Sequence, residues 1–135
     1  MTSEAEKPIN FLIDRKDILD FSLKDLIDLR AREISELPFL LTPGLDRPLE
    51  FHSLKDHCLR ISAALRTFVP EPGQTVATMM PNSLASTLLL LSVIYSGRIL
   101  CPLNLAAGDV QLAYVLEHSE SSLLMVAPEL RQRAQ

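Results

Sequence analysis

Apolar side chains recur at helical spacing in the first strongly patterned stretch of the chain, Ser22–Leu37. The apolar stripe comprises Leu23, Leu26, Ile27, Ile34 and Leu37. Ser22 and Asp25, three positions apart, form an acidic version of the capping box, which satisfies N–H groups of the first helical turn. Pro38 is expected to end this helix, because proline follows helix ends and cannot continue a helix.

The residues before this helix lack its periodicity. We predict that residues 1–21 form an N-terminal arm whose first part, Met1–Lys7, is polar and frayed. Ile9–Ile13 is apolar and is predicted to be a short strand or a packed segment of that arm. The arm has no basic region followed by an apolar one, so it does not read as a signal peptide.

Two short segments after the first helix alternate between apolar and polar residues. Phe39–Thr42 and Leu49–His52 are predicted to be the strands of a hairpin, joined by a loop of turn residues, with the His52 side chain pointing outward. Ser53, followed by Asp56 three positions later, is predicted to cap a second helix. The apolar stripe of that helix has strict 4-3-4-3 spacing and comprises Leu54, Cys58, Ile61, Leu65 and Phe68.

The second half of the chain alternates short apolar runs with longer helical patterns. The predicted strands are Thr75–Met80, Arg98–Leu103 and Ser122–Val126. The predicted helices are the leucine-rich Leu84–Tyr95, a helix capped by Asp109 that runs to His118, and one that starts at Pro128. Asn82 or Ser83 is expected to cap the leucine-rich helix, and Gly97 to follow its last turn in a left-handed conformation. The fold class is therefore α/β: an N-terminal helix and β-hairpin followed by a β-α-β-α-β parallel-sheet unit, part of a larger doubly wound sheet domain.

Composition supports a soluble globular domain and excludes several classes. The 135 residues are 47% apolar and 22% charged, an ordinary balance for a folded protein. A net charge of −4 and 5% aromatic residues argue against a nucleic-acid partner. The longest apolar run, Leu84–Tyr95, is shorter than a transmembrane segment of about 20 residues. Cys58 and Cys101 are predicted to be buried thiols in a reducing compartment, and the expected location is cytoplasmic.

The sequence offers no catalytic, cofactor-binding or metal-ligating residues that we can name. The four glycines are isolated, so no glycine-rich phosphate loop is present, and the turn Met80–Ser83 is read as a plain strand-to-helix connection. No Gly-x-Ser-x-Gly motif marks a serine nucleophile. The side chains that could ligate a metal match no zinc spacing; they are His52, His57, His118, Cys58 and Cys101.

Asn104 is the one candidate substrate contact. It ends the sequence Pro102-Leu-Asn104 at the carboxyl end of a predicted parallel strand, the edge where ligands of open α/β sheets gather. Its side chain is expected to cap a turn, to face the remainder of a larger enzyme, or to touch the substrate.

The order of residues between Gly73 and Asn104 resembles the early part of the adenylate-forming acyl-CoA synthetases and their acyl-ligase relatives. The shared marks are the strand Gly73-Gln-Thr-Val-Ala77, the helix start Asn82-Ser83, Gly97 at the helix end, and Pro102-Leu-Asn104 after the next strand. The first helix, the hairpin and the second helix also match that family's usual layout. Two positions depart from it: Gln74 stands where the family usually has Asp, and Leu105 where it often has Pro.

This resemblance implies an enzyme that uses ATP and magnesium to convert a carboxylate into an acyl-adenylate. The acyl group then passes to the thiol of coenzyme A or of a carrier-protein phosphopantetheine. Which acid is used and which acceptor receives it stay open, and acyl or aryl acids, including fatty acids, all fit. The motifs that carry this chemistry in the family lie downstream of Gln135.

The resemblance therefore predicts that residues 22–135 are an N-terminal subdomain truncated before the catalytic motifs. We expect the isolated chain to be inactive, to bind no cofactor itself, and to have the remainder of the parent enzyme as its partner. We also expect it to self-associate through a surface left bare. Two alternatives stay open: a stand-alone, non-catalytic interaction or dimerisation module, and a small doubly wound nucleotide-binding domain.

Overall fold

The computed structural model describes residues 20–135. The prediction of a short strand or packed segment at Ile9–Ile13 lies outside these residues. The described helices are α1 (Leu23–Glu33), α2 (Phe51–Phe68), α3 (Leu84–Tyr95) and α4 (Asp109–His118), and a 3₁₀ turn covers Pro128–Leu130. The described strands are β1 (Pro38–Leu40), β2 (Leu49–Glu50), β3 (Thr75–Met79), β4 (Ile99–Pro102) and β5 (Leu123–Val126).

Helix α1 begins as predicted and ends four residues earlier than predicted. The Ser22 hydroxyl accepts a hydrogen bond from the Asp25 N–H at 3.1 Å, and the Asp25 carboxylate accepts one from the Ser22 N–H at 3.1 Å. The last helical residue is Glu33 rather than Leu37. The reason is Pro38, whose ring would clash with the carbonyl of the residue four positions earlier and which disfavours helical geometry at the residue before it. Pro38 therefore disfavours helical geometry over the whole turn that precedes it.

Helix α2 begins at Phe51, two residues before the predicted cap, so the prediction that Ser53 caps it was wrong. The predicted strand that ended at His52 is correspondingly shorter, and His52 lies in the first turn of the helix. The N–H groups of Phe51 and His52 donate to the carbonyl oxygens of Leu37 at 3.3 Å and Ser35 at 3.0 Å. Carbonyls of the α1–β1 connection thus replace a side-chain cap, which allows the helix to start earlier.

Strands β3, β4 and β5 form a parallel sheet in the order β4-β3-β5. Thr75 to Thr78 of β3 pair in register with Ile99 to Pro102, and Val76 to Met79 pair with Leu123 to Val126. The chain adds β4 on one side of β3 and β5 on the other, so right-handed crossovers place α3 and α4 on opposite faces. This arrangement confirms the predicted parallel β-α-β-α-β unit, with helices on both faces of the sheet as in doubly wound domains.

The core contacts follow from this winding. One face of the sheet packs against α2 and α3 through buried Val76, Leu65, Val69, Leu89 and Val93. The other face packs against α4 through buried Met79, Leu103 and Leu112. A third cluster joins α1, α2 and α3 around Ile27, Leu54, Cys58, Leu88 and Tyr95. The leucine-rich helix α3 is therefore central to the domain, which explains why it is apolar on most of its circumference.

The ends of the second-half helices match most of the predicted caps. Ser83 caps α3, its hydroxyl accepting the Ser86 N–H at 3.1 Å. Gly97 has a φ of +75° directly after that helix, a conformation that favours glycine. Asp109, predicted to cap α4, is instead its first helical residue, and the cap position belongs to Gly108. The predicted helix after Pro128 is a 3₁₀ turn.

Among the helices of residues 20–135, none is long and apolar enough to cross a membrane.

Candidate functional site

The carboxyl ends of β3, β4 and β5 lie along one edge of the sheet, where open α/β folds bind their ligands. The direction of strand addition reverses between β3 and β5, so the crevice of this fold lies between the turn after Met79 and the turn after Val126. Asn104 follows β4 and is therefore one strand away from that crevice. The structure thus places Asn104 at the predicted edge, beside the crevice and not in it.

Asn104 caps a turn, which is one of its three predicted roles. Its side-chain oxygen accepts a hydrogen bond from the Ala106 N–H at 3.0 Å, and its backbone oxygen accepts one from the Ala107 N–H at 3.0 Å. This is an Asx turn, in which the side chain imitates a backbone carbonyl. The residue is exposed, and its side-chain NH₂ group makes no hydrogen bond within the described part of the chain. The donor side of the amide is thus available to a ligand or to another segment.

Arg133 holds the loop that contains Asn104. Its guanidinium donates to the carbonyl oxygens of Leu105 at 2.8 Å and Ala107 at 2.6 Å, and to the Asp109 carboxylate at 2.8 Å. Three charge-assisted bonds in a planar fork fix the loop to the segment after β5. No sequence pattern indicates this role, because Arg133 and the loop are more than twenty residues apart and only the fold brings them together.

The turn from β3 to α3 does not fit a phosphate group. A helix N-terminus binds an anion through N–H groups that have no other partner. Here the Ser83 N–H donates to the Ser86 hydroxyl at 2.8 Å, and the Ser86 N–H donates to the Ser83 hydroxyl at 3.1 Å. The capping box therefore uses donors that a phosphate would need, which supports the prediction of a plain connection.

A metal site is equally unsupported in residues 20–135, which contain no cluster of three or more His, Cys, Asp or Glu side chains that could hold an ion. His118 stacks on Tyr114 with ring centroids 3.8 Å apart, and its Nδ1 lies 3.0 Å from the Tyr114 carbonyl. His52 lies 3.0 Å from the Ser35 carbonyl through Nδ1. These contacts give both imidazoles structural partners. No catalytic step is assigned to either histidine.

An apolar cavity of about 500 Å³ lies beside β5, the edge strand next to the crevice. Its walls come from α2, the turn after β3, α3 and both faces of β5, and include Phe68, Met80, Leu123 and Met125. Phe68 is 68% exposed there, although its place in the α2 stripe predicted burial. The outer side of β5 has no strand partner among the described residues. Unpaired strand edges and exposed apolar side chains are features that proteins commonly cover with a further segment or chain.

The sequence profile of the AMP-binding enzymes matches residues 30–135. The chain belongs to the AMP-binding enzyme family.

Two curated relatives are coenzyme A ligases. The sulfoacetate–CoA ligase of Cupriavidus necator is 31% identical over 108 residues, which are 80% of this chain and 21% of the relative. The peroxisomal acetate/butyrate–CoA ligase of Arabidopsis thaliana is 35% identical over 74 residues, which are 55% of this chain and 13% of the relative. The chain thus spans about a fifth or less of the length of these relatives.

A solved structure of a fatty acyl-adenylate ligase from L. pneumophila shares the fold, with a TM-score of 0.71 and 21% sequence identity. The match covers 90% of this chain and 22% of that chain. The profile match confirms the family resemblance read from the sequence, and the shared fold confirms the α/β fold class.

The marks that carried the resemblance have structural roles in this AMP-binding family member. Gly73, with a φ of +80°, donates its N–H to the Gly97 carbonyl at 2.8 Å, which joins the two family glycines before β3 and β4. Gln74, at the position where Asp is usual, accepts the Glu71 N–H at 2.9 Å through its side-chain oxygen. An Asp carboxylate offers the same kind of acceptor, so this departure preserves the turn before β3.

The two cysteines differ in their surroundings. Cys58 is fully buried, as predicted, and burial raises the pKa of its thiol. Cys101 is only half-buried, so the prediction that both thiols are buried was wrong for one of them. Cys101 lies on the edge strand β4 and packs at the margin of the cluster of Met79, Leu103 and Leu112. Both cysteines are free. A thiol with a raised pKa is a poor nucleophile, so Cys58 is a packing residue.

Proposed function

We propose that this chain forms the N-terminal part of an ATP-dependent acid–thiol ligase. The reaction is the conversion of a carboxylate and ATP into an acyl-adenylate, followed by thioester formation with coenzyme A or a carrier-protein phosphopantetheine. The observation that carries the proposal is the family match over residues 30–135, supported by two relatives named as CoA ligases. The substrate class is an organic acid, acyl or aryl. Free thiols support a reducing compartment, and we propose the cytoplasm.

Within that enzyme we propose that residues 22–135 act as a scaffold. The β3–α3 turn of the sheet is closed by its own capping box, which uses N–H donors that a phosphate would need. The unpaired side of β5 and the apolar cavity beside it would receive the remainder of the enzyme, extending the parallel sheet. ATP, magnesium and the thiol would then be held by that remainder, and the isolated chain would be inactive.

The direct test is carboxylate-dependent pyrophosphate exchange. The purified chain should give no turnover above a buffer blank with a panel of fatty, short-chain and aryl acids, because its sequence has no glycine-rich loop with a lysine to stabilise developing phosphate charge. The complete reading frame that contains the chain should exchange with at least one acid of the panel. Turnover by the chain alone that survives repurification would contradict the scaffold role. A complete frame without exchange on any acid would contradict the ligase assignment.

Asn104 is proposed to contact the acyl ligand in the complete enzyme through its free side-chain NH₂ group. Asn104→Asp keeps an oxygen acceptor for the Ala106 N–H and removes the NH₂ donor, so it tests the ligand contact while leaving the turn intact. If the amide contacts the ligand, Asn104→Asp should raise KM for the acid by about tenfold. Its melting temperature should stay close to that of the parent. An unchanged KM would reduce Asn104 to a turn residue.

The bare β5 side also favours the second candidate, an interaction module that self-associates. Exposed apolar surface at an unpaired strand promotes pairing with another chain. Light scattering of the purified chain should show dimers that dissociate on dilution. Phe68→Asp, which places a charge in the cavity wall, should shift the equilibrium to monomer. Val110→Asp is the matched control, because Val110 is 87% exposed on α4 and lies outside that cavity. A parent chain that stays monomeric at high micromolar concentration would contradict self-association.

A further inference from the structure

A second cavity, of about 530 Å³, lies where the start of α1, the middle of α2 and the end of α3 meet. It is bounded by Pro70 and Pro72 before β3 and by the turn at Gly97 before β4, so it lies beside the amino ends of these strands. It is therefore separate from the carboxyl edge that carries Asn104. Its volume is in the range of small-molecule sites, about 300–1,000 Å³.

The charged side chains that line this cavity are all cationic. Three cationic side chains line it, Lys24, Arg66 and Arg98, and no acidic side chain of the described residues does. Lys24 forms an ion pair with Asp28 at 2.6 Å, so one of the three positive charges is neutralised by a carboxylate that does not line the cavity. Arg66 makes no ion pair or hydrogen bond within residues 20–135, and the residue is exposed. The cavity thus attracts negative charge.

Arg98 is the unusual member of the set. It is only 6% exposed, yet no carboxylate in the described part of the chain lies within ion-pair distance of it. Its guanidinium donates instead to the carbonyl oxygens of Val69, Pro70 and Ser96. Carbonyl dipoles satisfy N–H donors but leave the net positive charge in place, and a buried charge without a counterion is costly. A buried, unneutralised cation in a cavity wall favours binding of an anion.

The remaining walls are apolar. Leu59 is 45% exposed and Ile94 is 40% exposed, and both side chains line the cavity. They lie on α2 and α3, the two helices that also carry Arg66 and, just beyond α3, Arg98. Large exposed apolar side chains next to cationic ones suit a ligand with a hydrocarbon body and an anionic end.

We propose that this cavity binds an amphipathic organic anion, with its carboxylate or phosphate head group at Arg66 and Arg98 and its hydrocarbon body against Leu59 and Ile94. The site is independent of the proposed ligase chemistry, since it lies at the other end of the strands and involves no residue of the carboxyl edge. Carboxylate and phosphate share the recognition chemistry, because the free guanidinium of Arg66 can form bidentate bonds with either group, while Arg98 adds its positive charge.

Titration of the purified full chain followed by amide NMR shifts tests the site directly. Sodium octanoate and octyl phosphate are the anionic probes, octanol is the neutral control and octylamine the cationic control. Saturable shifts should map to Ser96, Gly97 and Arg66 with both anions, and the stronger of the two identifies the preferred head group. Octanol should bind at these amides at least about tenfold more weakly, and octylamine should not bind. Binding of octanoate should also weaken as salt is raised.

Arg66→Gln removes the free guanidinium and should weaken anion binding at these amides by about tenfold. Arg60→Gln is the matched control: it removes the same charge from an exposed position of the same helix that does not line the cavity. Thermal melts of both variants should match the parent, so that a loss of binding is not a loss of fold. Three results would each overturn the proposal: equal affinity for octanol and octanoate, unchanged binding in Arg66→Gln, or shifts confined to the β5 surface around Met125.

Discussion

Asp28 connects three helices, and its substitution is the sharpest test of how the N-terminal half is held together. Its carboxylate accepts from Lys24 on α1 at 2.6 Å, from the Tyr95 hydroxyl at the end of α3 at 2.7 Å, and lies 3.1 Å from Lys55 on α2. Asp28→Asn keeps the size and one acceptor oxygen, but removes the charge. We predict that it lowers the free energy of unfolding at neutral pH and flattens the acid limb of the stability curve.

The magnitude follows from the pKa. Partial burial alone would raise the pKa of Asp28, but the bonds from Lys24, Tyr95 and Lys55 outweigh it and lower the pKa from 3.8 to about 2. One pKa unit corresponds to about 1.4 kcal/mol. The side chain is 27% exposed, so screening by solvent reduces the effect, and we expect about 1–2 kcal/mol. Because the folded-state pKa is lowered, this stability is present above the unfolded value of about 4 and is lost as pH falls toward 2.

The assay is urea denaturation of the parent and variants at several pH values between about 7 and 2. The parent should lose about 1–2 kcal/mol more than Asp28→Asn between pH 5 and pH 2. Asp56→Asn is the control, since Asp56 is an exposed residue of α2 outside every ion pair found in the described residues. Parallel pH curves for the parent and Asp28→Asn would refute the reasoning, because the network would then contribute nothing that depends on the charge.

Three further substitutions test other parts of the fold. Leu88→Asp should unfold or aggregate the chain, because the site is 7% exposed and an unpaired buried carboxylate costs several kcal/mol. Glu33→Lys, at an exposed site, is the control and should melt within a few degrees of the parent. A melting temperature of Leu88→Asp that is also close to the parent's would show that the core is elsewhere. Gly97→Ala should lower stability by about 1–2 kcal/mol in urea denaturation, because φ is +75° there, and an unchanged midpoint would mean that the turn relaxes without cost. Arg133→Gln should free the loop that Arg133 binds and speed amide hydrogen exchange at Ala107 by about tenfold. An unchanged exchange rate would show that the loop keeps its structure without Arg133.

The local features of the fold could be predicted from the sequence because they depend on neighbouring residues. Ser22 and Asp25 reach each other within one helical turn, so their capping box follows from spacing alone. Gly97 after an apolar helix is likewise a local signal, and its positive φ confirms it. The alternation of strands and helices in the second half gave the parallel unit because such crossovers have one hand.

The features that the sequence did not reveal depend on residues far apart in the chain. Helix α2 starts at Phe51 because carbonyls of Ser35 and Leu37 accept its first N–H groups. Such a contact between separate segments cannot be predicted from the spacing of residues within the helix. Arg98 was read as the start of a strand, whereas its guanidinium joins the segment at Val69 and Pro70 to the turn at Ser96. The cationic cavity arises from this long-range packing and therefore has no sequence motif.

The order of strands in the sheet also has a consequence for synthesis on the ribosome. The central strand β3 begins at Thr75, and the two strands that flank it begin at Ile99 and Leu123, so each later strand emerges 24 residues after the one before (99 − 75 and 123 − 99). At about 5–20 residues per second, this spacing gives roughly 1–5 s for each helix to form and dock, against microseconds for helix formation itself. The sheet can therefore grow outward from its centre, one strand at a time. Because β3 is synthesised first, β4 and β5 each find their pairing partner already present when they emerge.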